Sequence, residues 1–345
     1  MKVTFITHAL GGGGSEHVLT IVANYLASKG HIVSIISRTH KTNQYYVDDQ
    51  ISINYVETSS HILFIKESRR LLKQNRPNTV ISFEYFYNLC AVIICFGLNI
   101  KLIISERNDP SRVGSGILKD IIRNILYSFA DVLICQTNDA LNYFPYYIRK
   151  KAHIILNPIM PGLPRAVNLN RENIIVNFCR LNKQKNIPLL LHSFKEFIKI
   201  HPDYQLHIYG NGEEKENIKN LILKLDLSKS VRLFDNCPDV HSKILTARMY
   251  VSSSDFEGLS NSMLEAMAIG LPTICTDCPC GGARMVIEDG YNGLLTAVGD
   301  STMLVNKMCT LAEDDSLCSF LSNNALKINK DLAVSSICKI WESYI

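Results

Sequence analysis

The sequence has no apolar run long enough to cross a bilayer. The longest, residues 89–98, is half of the roughly 20 residues that a spanning helix needs, so it reads as a buried helix. The opening Lys2-Val3-Thr4-Phe5-Ile6-Thr7 is too short for the apolar region of a signal peptide and runs directly into glycines; no signal peptide is expected. Short-period repeats and low-complexity tracts are absent. Charge is also scarce: charged residues make up 20% and the net charge is +4. That is too weak to imply nucleic acid, yet compatible with anionic substrates or an anionic membrane surface. The 11 cysteines are odd in number and most, such as Cys90, Cys95, Cys135 and Cys179, sit inside apolar runs, as buried thiols do in a reducing cytosol. Cys275, Cys278 and Cys280 form the tightest group, but a zinc site would need a fourth ligand, and no second knuckle is evident. No aspartate-rich metal motif is seen, so no metal is expected.

What is present describes a globular chain. Hydrophobic residues make up 47% of 345 positions, enough for two domains of roughly 150 residues each with ample cores. Strand-like runs at 2–7, 31–37, 51–56, 79–83, 101–105, 131–136 and 153–156 alternate with helical patterns such as Val18, Ile21, Val22, Tyr25 and Leu26. Such alternation predicts a parallel sheet with helices on both faces. Residues 157–164 carry three prolines and a glycine and read as a linker. The alternation then restarts, with strand candidates at 173–179, 205–209, 231–234, 249–253, 272–276 and 294–296. The expected domains are 1–164 and 165–325, with a C-terminal helix in 326–345 packing back toward the first. Ligands of such sheets bind beyond the carboxyl ends of the strands, so two units facing each other would share one cleft.

Four segments carry chemistry. Gly11-Gly12-Gly13-Gly14-Ser15-Glu16 follows the first strand and opens the first helix. Its glycines allow close backbone approach, Ser15 can cap the helix, and the helix N-terminus favours an anion. It is not the dinucleotide fingerprint, because Glu16 stands where the last glycine is needed; the bland alternative is a flexible turn. In the second segment, Ser252 to Ala268, a strand ends in a serine-rich turn and a helix begins near Ser260. There Glu257 lies on the loop, Glu265 lies about two turns into the helix, and the amides of Gly258, Leu259, Ser260 and Asn261 offer an anion site. The alternative is one capping acid and one surface acid. In the third, Arg180 and Lys185 follow the strand that starts the second unit, where cations suit a diphosphate; a solvated basic loop is the alternative. The fourth, Gly210-Asn211-Gly212-Glu213, is explained by a tight strand-to-helix turn. A nicotinamide reading would need another glycine at Lys215.

Together these segments resemble glycosyltransferase family 4. Phe256-Glu257-Gly258 through Glu265-Ala266-Met267-Ala268, then Gly270-Leu271-Pro272, is similar to that family's E-x7-E signature. So are Arg180 with Lys185, Gly210-Asn211-Gly212, residues 289–295 and the Gly13-Gly14-Ser15-Glu16 turn. The matches fall in order along nearly the whole chain. Within the family, Ser105-Glu106-Arg107-Asn108-Asp109-Pro110 and Cys278-Pro279-Cys280-Gly281-Gly282 resemble bacterial enzymes that build polysaccharide or glycan repeat units on polyprenyl diphosphate carriers. The resemblance implies an α/β GT-B fold, with two Rossmann-like doubly wound domains facing a central cleft. It implies a nucleoside-diphosphate sugar donor, taken as a UDP-sugar, transfer with retention, and no metal or other cofactor. It puts Arg180 and Lys185 on the donor diphosphate, Glu257 near the transferred sugar and Glu265 on the ribose, with Gly13 and Gly14 approaching the phosphate from the other domain. Many relatives carry a reaction-centre histidine after the fifth strand. Here that neighbourhood reads Glu106-Arg107-Asn108; these three are the candidate acceptor or reaction-centre residues, with no single equivalent of the histidine assigned, and Cys179 stands where relatives often have glycine.

A sugar-nucleotide epimerase of the same architecture and a non-catalytic nucleotide-sugar-binding protein are the competing functions. Retention of Arg180, Lys185 and both glutamates speaks against the latter. The implied partners are a nucleotide sugar, a lipid-linked glycan acceptor and an anionic membrane, at the inner face of which the protein is expected to sit from the cytoplasm. Residues 61–76 supply the docking expectation: Lys66, Arg69, Arg70 and Lys73 share one side of a helix, each adding about 1 kcal/mol of attraction to an anionic leaflet. An ordinary solvated helix is the alternative.

Overall fold

The computed structural model describes every residue except Asn43, Ser115 and residues 167–169. Its contacts divide the chain into two compact units, 1–158 with 332–345, and 159–331. The first division falls at Pro158, inside the proline cluster at 157–164.

The first unit runs β1 Lys2–Thr7, α1 Gly14–Ser28, β2 Ile32–Ser37, β3 Ser52–Tyr55, α2 His61–Asn75, β4 Thr79–Phe83, α3 Tyr85–Cys95, β5 Lys101–Ser105, α4 Ile117–Tyr127, β6 Val132–Cys135, α5 Asn138–Tyr143, α6 Tyr146–Arg149 and β7 Ala152–Ile154. The second runs β8 Glu172–Phe178, α7 Ile187–Phe197, β9 Gln205–Tyr209, α8 Lys215–Lys224, β10 Val231–Phe234, α9 Val240–Lys243, β11 Ala247–Ser252, α10 Asn261–Ile269, β12 Thr273–Thr276, β13 Leu294–Thr296, α11 Ser301–Glu313, α12 Asp315–Ala325 and α13 Ile328–Asp331. The last helix, α14 Val334–Glu342, belongs to the first unit.

Each unit is built on one parallel sheet. The strand orders are β3-β2-β1-β4-β5-β6-β7 and β10-β9-β8-β11-β12-β13. Central strands are covered on both faces, which is why β4 and β11 are buried at every position and read as continuous apolar runs. In the second unit, Ile175, Ile208, Met249 and Val251 from the sheet pack with Leu190, Phe194, Leu304 and Met308 from helices. In the first, α14 lies along α1. Its fully buried Trp341 stacks on Phe83, with ring centroids 5.3 Å apart, and Glu342 accepts from His31 Nε2 at 3.0 Å.

The strand orders place the chemistry. In each sheet the direction of winding reverses once, between β1 and β4 and between β8 and β11. Crevices open outside the carboxyl ends of the strands at such reversals. The glycine loop after β1 lies at the first, and both the Arg180–Lys185 loop and the Ser252–Glu257 loop lie at the second.

Candidate active site

The second unit brings three of the sequence segments together. After β8 the chain makes a tight loop and a short 3-10 turn, Lys183–Lys185. That turn is laced to the loop after β11. Asp255 N donates to Gln184 O at 2.9 Å, Gln184 Nε2 donates to Phe256 O at 2.8 Å, and Asn186 Nδ2 donates to Asp255 Oδ1 at 2.6 Å. Asn186 adopts a left-handed conformation and caps α7 through Leu189 N. The fourth segment supports the loop from behind. A Cβ on Gly210 would come within 2.0 Å of Cys179 O, and one on Gly212 within 2.1 Å of Leu181 O. These glycines are required for backbone contact with the basic loop.

The lacing sets Lys185 against Glu257. The ammonium forms an ion pair with Glu257 Oε1, and both side chains are mostly buried. Ser254 Oγ and Gln184 Nε2 also donate to the Glu257 carboxylate, at 2.9 and 3.1 Å. Burial works to lower the Lys185 pKa, but attraction from Glu257 and its hydrogen bond outweigh it, and the net shift is upward. Lys185 therefore carries a firm positive charge at neutral pH. Arg180, in the same loop, is exposed.

Glu257 sits just before Gly258, Leu259, Ser260 and Asn261, which lead into α10. Ser260 caps that helix, accepting from Met263 N. Asn261 opens the first turn, so the positive end of the helix dipole points out of this loop. The Cys278–Gly282 segment packs beneath: a Cβ on Gly282 would lie 1.6 Å from Gly258 O. Only glycine fits there. Cys278 and Cys280 are buried around it, with the Cys278 thiol pushed by burial up to about 12, which disfavours the thiolate that a metal would take. Further along α10, Glu265 Oε2 accepts from His241 Nε2 at 2.9 Å. Sequence reasoning missed His241, whose signal is faint: one histidine in a four-residue helix.

The first unit is different in kind. Gly12 has φ +96° and Lys41 Nζ donates to Gly11 O at 2.9 Å, so the glycine loop does turn tightly. The cap of α1 is Gly13, however, not Ser15. Ser15 Oγ instead contacts two carboxylates, Glu16 Oε2 at 3.0 Å and Glu84 Oε1. The expected capping role is thus corrected, because the hydroxyl is drawn to stronger, charged acceptors. The close approach at Gly13 is to its own neighbour: a Cβ would meet Glu16 Oε2 at 2.1 Å. Glu16 is buried in the first turn, where the helix dipole stabilises it.

Glu84 was not singled out from sequence. It ends β4 and caps α3 with φ 74° and ψ 145°, a region that favours glycine and costs about 1–3 kcal/mol for other residues. The conformation is held by Glu84 N donating to Ser105 O at 3.1 Å and Asn88 N donating to Glu84 O at 2.8 Å. It aims the carboxylate at Ser15.

The Glu106-Arg107-Asn108 group separates. Glu106 is buried, accepts from Tyr127 Oη, and has its pKa raised by burial; its side chain faces the interior. Arg107 is half-buried, with its guanidinium turned inward. Its guanidinium lies 4.8 Å over the Phe83 ring, donates to Asn157 Oδ1, and is lowered by burial to about 9. Asn108 Oδ1 accepts from Asp109 N at 2.8 Å.

The four cations of α2 also separate. Lys66 and Lys73 are exposed. Arg69 turns inward and donates to Ile94 O at 2.6 Å, while Arg70 pairs with Glu67 at 2.7 Å.

A family model described as Glycosyltransferase Family 4 matches residues 12–161, and one described as Glycosyl transferases group 1 matches residues 163–328. The chain belongs to glycosyltransferase family 4. Among relatives of this glycosyltransferase is an uncharacterized glycosyltransferase of Haemophilus influenzae, 27% identical over 99% of this chain and 98% of that one. Another is the Campylobacter jejuni GalNAc-alpha-(1->4)-GalNAc-alpha-(1->3)-diNAcBac-PP-undecaprenol alpha-1,4-N-acetyl-D-galactosaminyltransferase, 26% identical over 99% of this chain and 97% of that one. A solved structure of Anabaena HepE in complex with UDP and glucose has a TM-score of 0.86 at 17% identity, covering 99% of this chain and 98% of that one. The fold of the family 4 chain is accordingly GT-B.

Proposed function

We propose that this glycosyltransferase moves a hexose or N-acetylhexosamine, with retention, from a UDP-sugar to a polyprenyl-diphosphate-linked glycan in bacterial surface polysaccharide assembly, such as O-antigen or capsule. The observation that carries the donor half is the laced loop pair at the β8/β11 crevice. It sets a charged lysine against Glu257, with an exposed arginine on the same loop and the N-terminus of α10 directly after the glutamate. Departure of a nucleoside diphosphate builds negative charge, and fixed cations with a helix dipole stabilise it in a dry site. In this reading Arg180 and Lys185 take the diphosphate, Glu257 contacts the sugar, and Glu265, oriented by His241, takes the ribose diol. The diphosphate would draw Lys185 away from Glu257, leaving that carboxylate to accept sugar hydroxyls.

The acceptor half rests on the first unit, where Ser15, Glu16 and Glu84 offer hydroxyl-binding oxygens at the carboxyl ends of β1 and β4. The Campylobacter relative, whose name specifies an undecaprenyl-diphosphate acceptor, supports a lipid carrier here and with it contact with an anionic membrane. Among the described residues no helix is long and apolar enough to cross a membrane, so contact would be peripheral.

The test is turnover of a panel of sugar nucleotides with carrier-lipid glycans. Transfer of sugar to lipid with release of UDP is expected; release of an altered free sugar without an acceptor would favour an epimerase. Because positive charge is supplied by side chains, activity is expected to survive excess chelator. Loss restored by manganese or magnesium would overturn the metal-free part.

A further inference from the structure

Apolar side chains on a surface helix normally face the core, and the opposite face is polar. Helix α4 breaks this pattern. Its inward positions, Arg123 and Tyr127, are fully buried, while Ile117, Leu118, Ile121, Ile122 and Ile125 are 85%, 69%, 50%, 44% and 54% exposed. At 100° per residue these five lie within an arc of about 140° that contains no charged residue. The one acid of the helix, Asp120, is turned to the buried Arg123 at 2.5 Å. The apolar surface extends beyond the helix. Phe129 is 56% exposed and meets Phe96, 62% exposed, edge to face at 5.6 Å.

The inversion has a local cause. Arg123 occupies the inner face, donating to Pro110 O and Asp120 Oδ1 and lying over the Tyr143 and Phe144 rings. The isoleucines are left facing outward and exposed. A contiguous apolar strip of this size on a monomer marks an interaction surface.

The charges around the strip choose the partner. Within the same unit α3 lies between α4 and α2, and α2 presents Lys66 and Lys73 to solvent while its Arg69 reaches the C-terminal end of α3 at Ile94. Lys119 on α4 is exposed too. Of the acids nearby, Asp120 is engaged with Arg123 and Glu67 with Arg70, and Asp131, beside Phe129, accepts from Leu102 N at 2.7 Å. An apolar strip flanked by Lys119, in a unit whose α2 adds the exposed Lys66 and Lys73, matches the boundary of an anionic bilayer, where apolar side chains enter the acyl region and cations meet lipid phosphates. A second copy of the chain would set the same lysines against themselves.

We propose that the outward face of α4 inserts into an anionic lipid bilayer, with α2 contributing electrostatic attraction only. This rests on the lipid-linked acceptor reading, and it moves the principal membrane contact from the basic face of α2 to the isoleucine strip.

Sedimentation of the full-length protein with vesicles of phosphatidylglycerol and phosphatidylethanolamine tests it, against neutral phosphatidylcholine vesicles. The double variant Ile121→Asp, Ile125→Asp is expected to lose binding by about tenfold or more, since two apolar side chains no longer enter the acyl region. Lys66→Glu with Lys73→Glu should lose less and should abolish the preference for anionic vesicles. Both substituted pairs are exposed, so thermal melting should match the parent. Full binding by the double aspartate variant, with loss confined to the lysine variant, would overturn the α4 assignment and leave the membrane reading standing. No binding of the parent to either vesicle would overturn both. A parent that sediments as a dimer without lipid, and becomes monomeric in the aspartate variant, would make the occupant a second copy and overturn the bilayer. Transfer to a water-soluble acceptor should be unchanged in both variants; a loss there would mean that the strip serves the catalytic fold instead.

Discussion

The two crevices of this chain share one topology and carry opposite chemistry. Each lies at the carboxyl ends of a parallel sheet where the winding reverses. At the β8/β11 reversal Lys185 pairs with Glu257, Arg180 shares the lysine's loop, and the N-terminus of α10 follows the glutamate; at the β1/β4 reversal Glu16 and Glu84 lie at the glycine loop, both contacted by Ser15. A doubly wound sheet decides where a ligand can approach and leaves to the loops what kind of ligand it is. The contrast favours the second unit as the seat of the diphosphate. It also weakens the expectation that Gly13 and Gly14 approach a phosphate, because two carboxylates next to that loop would repel it.

The largest expected effect comes from removing the cation. Lys185→Ala takes away a charge-assisted contact of about 1.5–3 kcal/mol and leaves Glu257 unpaired beside the incoming diphosphate. Donor affinity by calorimetry with UDP should fall by about one to two orders of magnitude. Arg180→Ala should act in the same direction on the same measurement. Unchanged UDP affinity in both variants would break the contrast between the crevices.

The two glutamates of the second unit should then differ. Glu257 lies on the loop beside Lys185, whereas Glu265 lies on α10 with His241. Glu257→Gln replaces a charged acceptor with a neutral one at the position proposed to face the sugar, and should lower kcat by about tenfold. Glu265→Gln should act chiefly on donor binding, by a smaller factor. Steady-state kinetics separates the two, and the reverse pattern would mean that their roles are exchanged. In the first unit, Glu84→Gln and Ser15→Ala should raise the acceptor KM severalfold, about the loss of one neutral hydrogen bond, with UDP affinity unchanged. A matching loss of UDP affinity would erase the distinction.

Much of this contrast is legible in the sequence alone. The 13 strands of the described residues overlap the strand-like runs of the sequence; β4 and β11, covered on both faces, leave an unbroken apolar signature, whereas β3 and β7 are partly exposed and are read from the turn residues around them. The loop pair of the second unit is legible as residue types at strand ends. What stays hidden is direction. Periodicity places Lys66, Arg69, Arg70 and Lys73 on one side of α2, but only packing turns Arg69 toward Ile94. The same periodicity marks an apolar side on α4 without saying whether anything covers it. Ser15 satisfies the composition rule for a cap, yet carboxylates, one of them distant in sequence, take its hydroxyl. Glu84 carries no signal in the string of letters; its backbone angle does.

The smallest effect is a pH dependence of stability at the buried Glu106. Glu257 is compensated by the Lys185 charge. Glu106 is buried with the neutral Tyr127 hydroxyl donating to it, and burial raises its pKa above the ordinary 4.5 despite the attraction of Arg123. A carboxyl group whose folded pKa is raised contributes stability below its unfolded pKa, and that contribution is lost as pH rises through the folded value. The parent protein should therefore lose stability on going from mildly acidic toward neutral pH in a way that Glu106→Gln does not. The neutral amide keeps an acceptor for the Tyr127 hydroxyl and never has to ionise in the interior. The difference in melting temperature, variant minus parent, should grow with pH across this window and flatten above the folded pKa. Since Glu106 faces inward from the end of β5, UDP affinity should stay constant throughout. A stability difference independent of pH would mean that Glu106 titrates as an exposed acid does, and a fall in UDP affinity would mean that it acts on donor binding.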